Sequence, residues 1–282
     1  MKKLILLVLV ISISLVFCSN NTSPNYSGIE KIIVLSPEIG EIICSLDGED
    51  KIKAVIQECD YPPLLKDKPK IGSFSSPDIE RIISLEPDLV ILSGLEQEVV
   101  KTRLKNLNIR VCQFFPNSVD SLLNTIEKVG EIVNNKGGAD SLINYFYKEI
   151  NQLVLPSNKP NVYFEVYKNP LMTVSDDSFV GDVIETSGGN NIFSNLPRNY
   201  CRISPEKIVE ANPDIMIISY PGSDKQQIKS RLGWEEINAI AYNRIYTESD
   251  IKMETIVRAG PRTIQGIITL NSIFNEFKND EQ

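Results

Sequence analysis

Short apolar runs alternate along this chain with longer stretches whose apolar residues return every three or four positions. The runs at 31–35, 52–56, 89–92, 110–114, 161–166, 215–219 and 244–247 predict buried strands. Between the first two, Ile39, Ile42, Ile43 and Leu46 fall at helical spacing behind Ser36-Pro37, a cap followed by a first-turn proline. Helices are also predicted over 96–107, 119–133, 179–186, 224–231 and 261–277. Gly188-Gly189 suits the C-terminal end of the 179–186 helix, where the backbone favours positive φ. Strands alternating with helices imply largely parallel sheets covered by helices on both faces.

A turn at 134–138 precedes a long helix over 139–155, with Leu142, Phe146, Ile150 and Leu153 on one stripe. The fold class that follows is α/β: two Rossmann-like lobes, 29–136 and 159–282, joined by one rigid helix over 137–158. A helical connection restricts lobes to small relative motions, unlike loop hinges.

One pattern occurs twice. The run from Glu80 through Pro87-Asp88 to Ser93 returns as Glu206 through Pro213-Asp214 to Ser219, at a constant spacing of 126 residues. Phe74 and Tyr200 stand six residues before each Glu. A gapless match of this length points to two related lobes. Ser76-Pro77 and Ser204-Pro205 are the predicted caps of the two repeat helices.

In an α/β unit, helix N-termini and strand C-termini share one edge, and ligands bind there. Phe74 and Tyr200 precede their helices, and Ser93-Gly94 and Ser219-Tyr220 follow their strands. All are therefore expected on a cleft between the lobes, although either aromatic could equally serve core packing. Glu80 and Glu206 lie in first turns, where the helix dipole alone favours a carboxylate by roughly 0.3–1 kcal/mol. The alternative is a symmetric pair of docking charges, one on each lobe's rim.

The N-terminus adds an address. Lys2-Lys3 precede an apolar stretch at 4–17, shorter than the roughly 20 residues a membrane span needs and shaped like an export signal. Leu15-Val16-Phe17-Cys18 resembles a bacterial lipobox, in which the Cys is acylated; Phe17 stands where that pattern has Gly, Ala or Ser. A plain signal peptide and an uncleaved anchor are the alternatives. On the lipobox reading, 1–17 is the signal, and 18–28 is the lipidated Cys with a flexible tether. Losing 1–17 takes the net charge from −8 to −10, which argues against nucleic acid and against a polybasic membrane patch.

The chain has no His and no C-x-x-C, which removes the usual zinc sets and every His-dependent hydrolytic mechanism. Cys44, Cys59, Cys112 and Cys201 could pair or remain buried thiols. Phosphate-loop, dinucleotide and nucleophile-elbow motifs are also missing, so no enzyme, cofactor or protein-held metal is expected.

Five segments in order resemble one family, the periplasmic binding proteins of ABC importers for ferric siderophores, haem and cobalamin. They are Ser36-Pro37-Glu38-Ile39-Gly40-Glu41-Ile42, the Cys59-Asp60-Tyr61-Pro62-Pro63 turn, the first repeat, Gly188-Gly189-Asn190-Asn191-Ile192-Phe193, and Arg258-Ala259-Gly260-Pro261-Arg262. The resemblance implies a monomeric receptor that holds a metal chelate in a shallow cleft and passes it to a dimeric permease with its ATPase. It implies that Glu80 and Glu206 pair with permease arginines, and that Phe74, Tyr200 and nearby Tyr167 face the ligand. Tyr61 and Tyr220 join the ligand candidates, with Arg198, Arg202 and Arg258 as cations for an anionic chelate. Glu58 and Ser93 stand where the cobalamin-binding member has cleft aromatics. A receptor for free metal ions and a non-transport interaction protein are the rival readings.

Overall fold

The computed structural model describes residues 26–94 and 97–277. The expected signal stretch, Cys18 and most of the tether lie outside them. The first lobe runs β1 (Ile32–Val34), α1 (Pro37–Ser45), β2 (Ile52–Val55), α2 (Ile79–Ser84), β3 (Leu89–Ser93), α3 (Glu98–Asn106) and β4 (Val111–Phe114). Its four strands form an all-parallel sheet in the order β2-β1-β3-β4. Such a sheet buries both faces, which is why its strands read as unbroken apolar runs. As expected, the Ser36 hydroxyl caps α1 by accepting the Ile39 N–H at 3.2 Å.

The cap of α2 differs from the prediction. Asp78, not Ser76, accepts the Arg81 N–H at 3.0 Å. Ser76-Pro77 instead turns back on the chain, with Ser76 and Ser73 exchanging backbone hydrogen bonds and Pro77 bridging Gly72. The repeat itself carried this answer, since Ser204 lies 126 residues beyond Asp78.

Two helices join the lobes, α4 (Val119–Val133) and α5 (Lys136–Asn151). The latter is the predicted long helix, begun three residues early because Asn135 caps it by accepting the Gly138 N–H, and ended at Asn151, four residues before the predicted end at Leu155. Asn134, in the left-handed conformation at φ 64°, folds the two against each other. Gly130 permits the close approach: a Cβ there would stand 2.5 Å from that of Ala139. The pair is pinned at both ends. Asn135 donates to the Leu46 carbonyl of the first lobe at 2.9 Å, and the Val119 N–H donates to Asp182 of the second.

The second lobe continues with β5 (Asn161–Lys168), β6 (Leu171–Val174), α6 (Phe179–Thr186), β7 (Asn190–Asn191), β8 (Tyr200–Arg202), α7 (Pro205–Ala211) and β9 (Ile215–Ile218). It closes with α8 (Lys225–Lys229), α9 (Asn238–Ala241), β10 (Ile245–Tyr246), α10 (Glu254–Val257) and α11 (Thr263–Glu276). Strands β10-β9-β5 pair in parallel, but β5-β6-β8 extend the sheet with antiparallel strands. The apolar pattern had not disclosed β6 and β8, which at four and three residues are too short to show a period.

One hydrophobic core spans both lobes. It runs from Ile32 and Val90 through Ile126 and Phe146 of the helix pair to Phe164, Ile264 and Phe274. A second cluster, including Tyr163, Met216, Ile218 and Trp234, fills the other face of the second sheet. Successive residues Tyr163 and Phe164 thus serve opposite faces, as strand alternation requires. A shared core makes wide separation of the lobes costly, because opening would expose apolar surface at about 25 cal/mol per Å².

Candidate functional site

The C-terminal ends of β3 and β4 and the N-terminal ends of α1 and α6 converge on one cavity of about 500 Å³. From the first lobe come Pro37 and Glu38 at the start of α1, Glu58, Phe74, and Ser93-Gly94 beyond β3. Phe114, Phe115 and Pro116 continue β4 into the wall. Phe179 at the start of α6, Tyr200 on β8, Val257 at the end of α10, and Arg258 and Ala259 after it close it from the second lobe. Five aromatic side chains therefore face a space of the size that small-molecule sites occupy.

Polar groups hold the first-lobe wall in place. Both Glu58 carboxylate oxygens accept the Phe74 N–H, at 3.1 and 3.0 Å. Gln97 is buried and uses its amide three ways. Its oxygen accepts the Ser93 N–H at 3.1 Å, while its nitrogen donates to the Leu35 and Phe74 carbonyls at 3.0 and 3.1 Å. The loop bearing Phe74 is gripped at both its N–H and its carbonyl.

Ion pairs link the lobes beside the cavity. Arg262 donates to both oxygens of Glu41, at 2.8 and 2.6 Å, and Glu41 is only 3% exposed. Burial pushes the Glu41 carboxyl up, and the Arg262 hydrogen bonds and charge oppose that rise. Arg258 donates to Asp60 at 2.7 Å and stands 3.9 Å from Glu41. Burial raises the Asp60 carboxyl, but the hydrogen bond and charge of Arg258 more than offset it, leaving a net downward shift.

Of the ligand candidates, Phe74, Tyr200 and Arg258 line the cavity. Tyr61 does not: its ring lies under the Arg262 guanidinium at 4.0 Å, beside a second cavity of about 430 Å³. Tyr220 faces inward to its own lobe, its hydroxyl accepting from Arg231 at 2.9 Å. Tyr167 and Arg198 are exposed and outside the lining. Glu80 and Glu206 are also exposed, each the second residue of its helix. Glu206 accepts from its own N–H and from Ser204, which holds its carboxyl below the usual range. Phe114, Phe115 and Phe179 were not singled out in the sequence. The edge rule that selected Phe74 would have found them, since each sits at a strand C-terminus or a helix N-terminus.

The described cysteines are free thiols, and burial pushes Cys44 and Cys59 up to about 12. Among the described residues, no three or more His, Cys, Asp or Glu side chains are grouped to hold a metal ion.

Two α/β lobes on a shared core, meeting at an aromatic cavity on their common edge, have the architecture of a two-lobe binding protein. The family model for periplasmic binding proteins matches residues 32–250, and the chain belongs to that family. It is 25% identical to the vitamin B12-binding protein of Vibrio parahaemolyticus, over 93% of this chain and 95% of that protein. It is 27% identical to the uncharacterized ABC transporter substrate-binding lipoprotein YvrC of Bacillus subtilis, over 84% of this chain and 77% of that one. Among solved structures, a periplasmic solute-binding protein of Staphylococcus epidermidis matches with a TM-score of 0.75 and 27% identity. That match covers 87% of this chain and 98% of the other. These relatives are named for binding a solute or substrate, and this chain is a binding protein of the same family.

Proposed function

We propose that this protein captures an iron or cobalt chelate in the inter-lobe cavity and delivers it to a dimeric ABC permease. The observation that carries the reading is the aromatic lining: Phe74, Phe114, Phe115, Phe179 and Tyr200 meet across one cavity from both lobes. Aromatic faces bury large area with little rotamer loss and suit a broad, partly apolar chelate better than a bare ion or sugar. The likeness to a vitamin B12-binding protein over nearly the full chain supports the same ligand class. Docking falls to Glu80 and Glu206, equivalent and exposed on the two lobes, which would meet a two-fold permease at matching basic sites. The lipobox-like Leu15-Val16-Phe17-Cys18, with the naming of YvrC as a lipoprotein, supports an acyl anchor at Cys18 that keeps the receptor outside the cytoplasm on its membrane.

The test is a thermal-shift screen of the purified protein against corrinoids, haem and ferric siderophores. At least one chelate should raise Tm, and mass spectrometry should recover that ligand unchanged. A protein that none of them stabilises would contradict the reading. Radiolabelled palmitate should enter the wild-type chain and not the Cys18→Ser variant.

A further inference from the structure

The cavity's charges favour one kind of chelate. Its lining carries two carboxyl groups, Glu38 and Glu58, and one guanidinium, Arg258, a formal balance of −1. That cation is already committed, to Asp60 at 2.7 Å and toward Glu41 at 3.9 Å. Arg258 keeps further N–H groups, but its charge is already paired, so an anionic ligand gains less from it than from an unpaired cation. Glu58 is in the opposite position. The Phe74 N–H fixes its carboxylate in place, and each oxygen keeps acceptor capacity for a ligand donor. Arg198 and Arg202, the cations that flank Tyr200 in the chain, are exposed and outside the lining, where solvent screens them.

Resting on the chelate reading above, we infer that the site selects neutral or cationic chelates bearing N–H donors and disfavours anionic ones. Ferric catecholates and haem, with its propionates, belong to the disfavoured class. Corrinoids with peripheral amides and hydroxamate chelates carrying an ammonium belong to the favoured class. Glu58 is then a specificity-determining residue: it repels anions and accepts from amide or ammonium donors. This gives a physical meaning to a carboxylate among aromatic walls.

Two pairs of probes that share a chelating core and are opposite in charge test this by isothermal titration calorimetry at fixed ionic strength. One is a ferric trihydroxamate with a free ammonium against its succinylated carboxylate. The other is an aqua-corrinoid cation against a cyano-corrinoid with one peripheral amide hydrolysed to carboxylate. In each pair that binds, the cation should bind about tenfold more tightly, the scale of one or two partly screened charge contacts. Glu58→Gln, which keeps an acceptor for the Phe74 N–H, combined with Glu38→Gln should narrow that ratio to about twofold. If the double variant fails to fold, Glu38→Gln alone should still reduce the ratio. Equal or tighter binding of the anionic member, or a ratio unmoved by the substitutions, would overturn the charge inference and leave the chelate reading standing. If no member of either pair binds but haem or a ferric catecholate does, the charge inference is overturned and the chelate reading stands; if none of these binds, both fall.

Discussion

In the first lobe, the carboxylate of Pro87-Asp88 accepts the Glu30 and Lys31 N–H groups at 2.8 and 2.7 Å, anchoring the entry to β1. In the second, that of Pro213-Asp214 accepts the Asn161 N–H at 2.9 Å and anchors β5. The helix ends also correspond: Glu86 and Asn212, 126 residues apart, both take positive φ, at 47° and 42°. At the other end of the same strands the copies part. Leu35 and Glu165 occupy matching places beside Leu92 and Ile218, one apolar and one a fully buried carboxylate. Gln97 clamps the first-lobe edge and grips Phe74. In the second, Arg231 meets Glu165 with two hydrogen bonds of 2.6 Å, Tyr163 donates to the same carboxylate at 3.0 Å, and Tyr220 accepts from Arg231. None of these four second-lobe residues lines the cavity. The repeat thus preserves the strand anchor, where the fold needs it, and varies the cleft edge. The first-lobe clamp holds the ligand wall directly, whereas the second-lobe clamp stabilises its own lobe and leaves Tyr200 on an exposed edge strand.

Substitutions at the two edges should separate these roles. The largest effect is expected from Arg231→Met, which strands the buried Glu165 carboxylate and should cost about 3–5 kcal/mol of stability in urea denaturation. Chelate affinity of the surviving folded fraction should change little. Gln97→Ala comes next, at about 2–3 kcal/mol, because it leaves the Ser93 N–H and two carbonyls short of partners. Unlike the Arg231 variant, it should also weaken chelate binding measurably, since it frees the Phe74 loop. Equal losses of affinity in the two variants would break the comparison.

The smallest effect belongs to the conserved end of the repeat. The Glu30 and Lys31 amides hold the Asp88 carboxyl below its ordinary value. Its contribution is therefore fully present above the unfolded value of about 3.9 and lost as pH falls through the lower folded one. Asp88→Asn should cost about 1 kcal/mol near neutral pH, a modest figure because the group is exposed. The cost should shrink toward zero in acid, so the variant's stability should fall less steeply than the wild type's below about pH 4. A constant difference across that range would contradict the assignment.

Most of the architecture was legible because it rests on periodicity. The 119–133 and 179–186 helices appear with the predicted bounds, since caps and apolar stripes fix both. Antiparallel β6 and β8 were not, because each is too short to show a period, and Tyr200–Arg202 pairs with β6 across the intervening α6. The site divided along the same line. Phe74 and Tyr200, which line the cavity, followed from the repeat, which sequence alone displays. The roles of Gln97, Arg231 and Asp60 depend on contacts across 62, 66 and 198 residues, which no short pattern encodes. Tyr61 and Tyr220 lie beside cleft-edge segments in sequence, yet Arg262 stacks on the Tyr61 ring and Arg231 bonds the Tyr220 hydroxyl.

The central claim is that one pair of repeat residues serves the ligand and the other serves the permease. Its most direct test is Glu80→Ala combined with Glu206→Ala, assayed for chelate affinity on the purified protein and for uptake in cells. Transport should be abolished while affinity stays near wild type. Unimpaired uptake, or a loss of affinity that accounts for the loss of uptake, would contradict it.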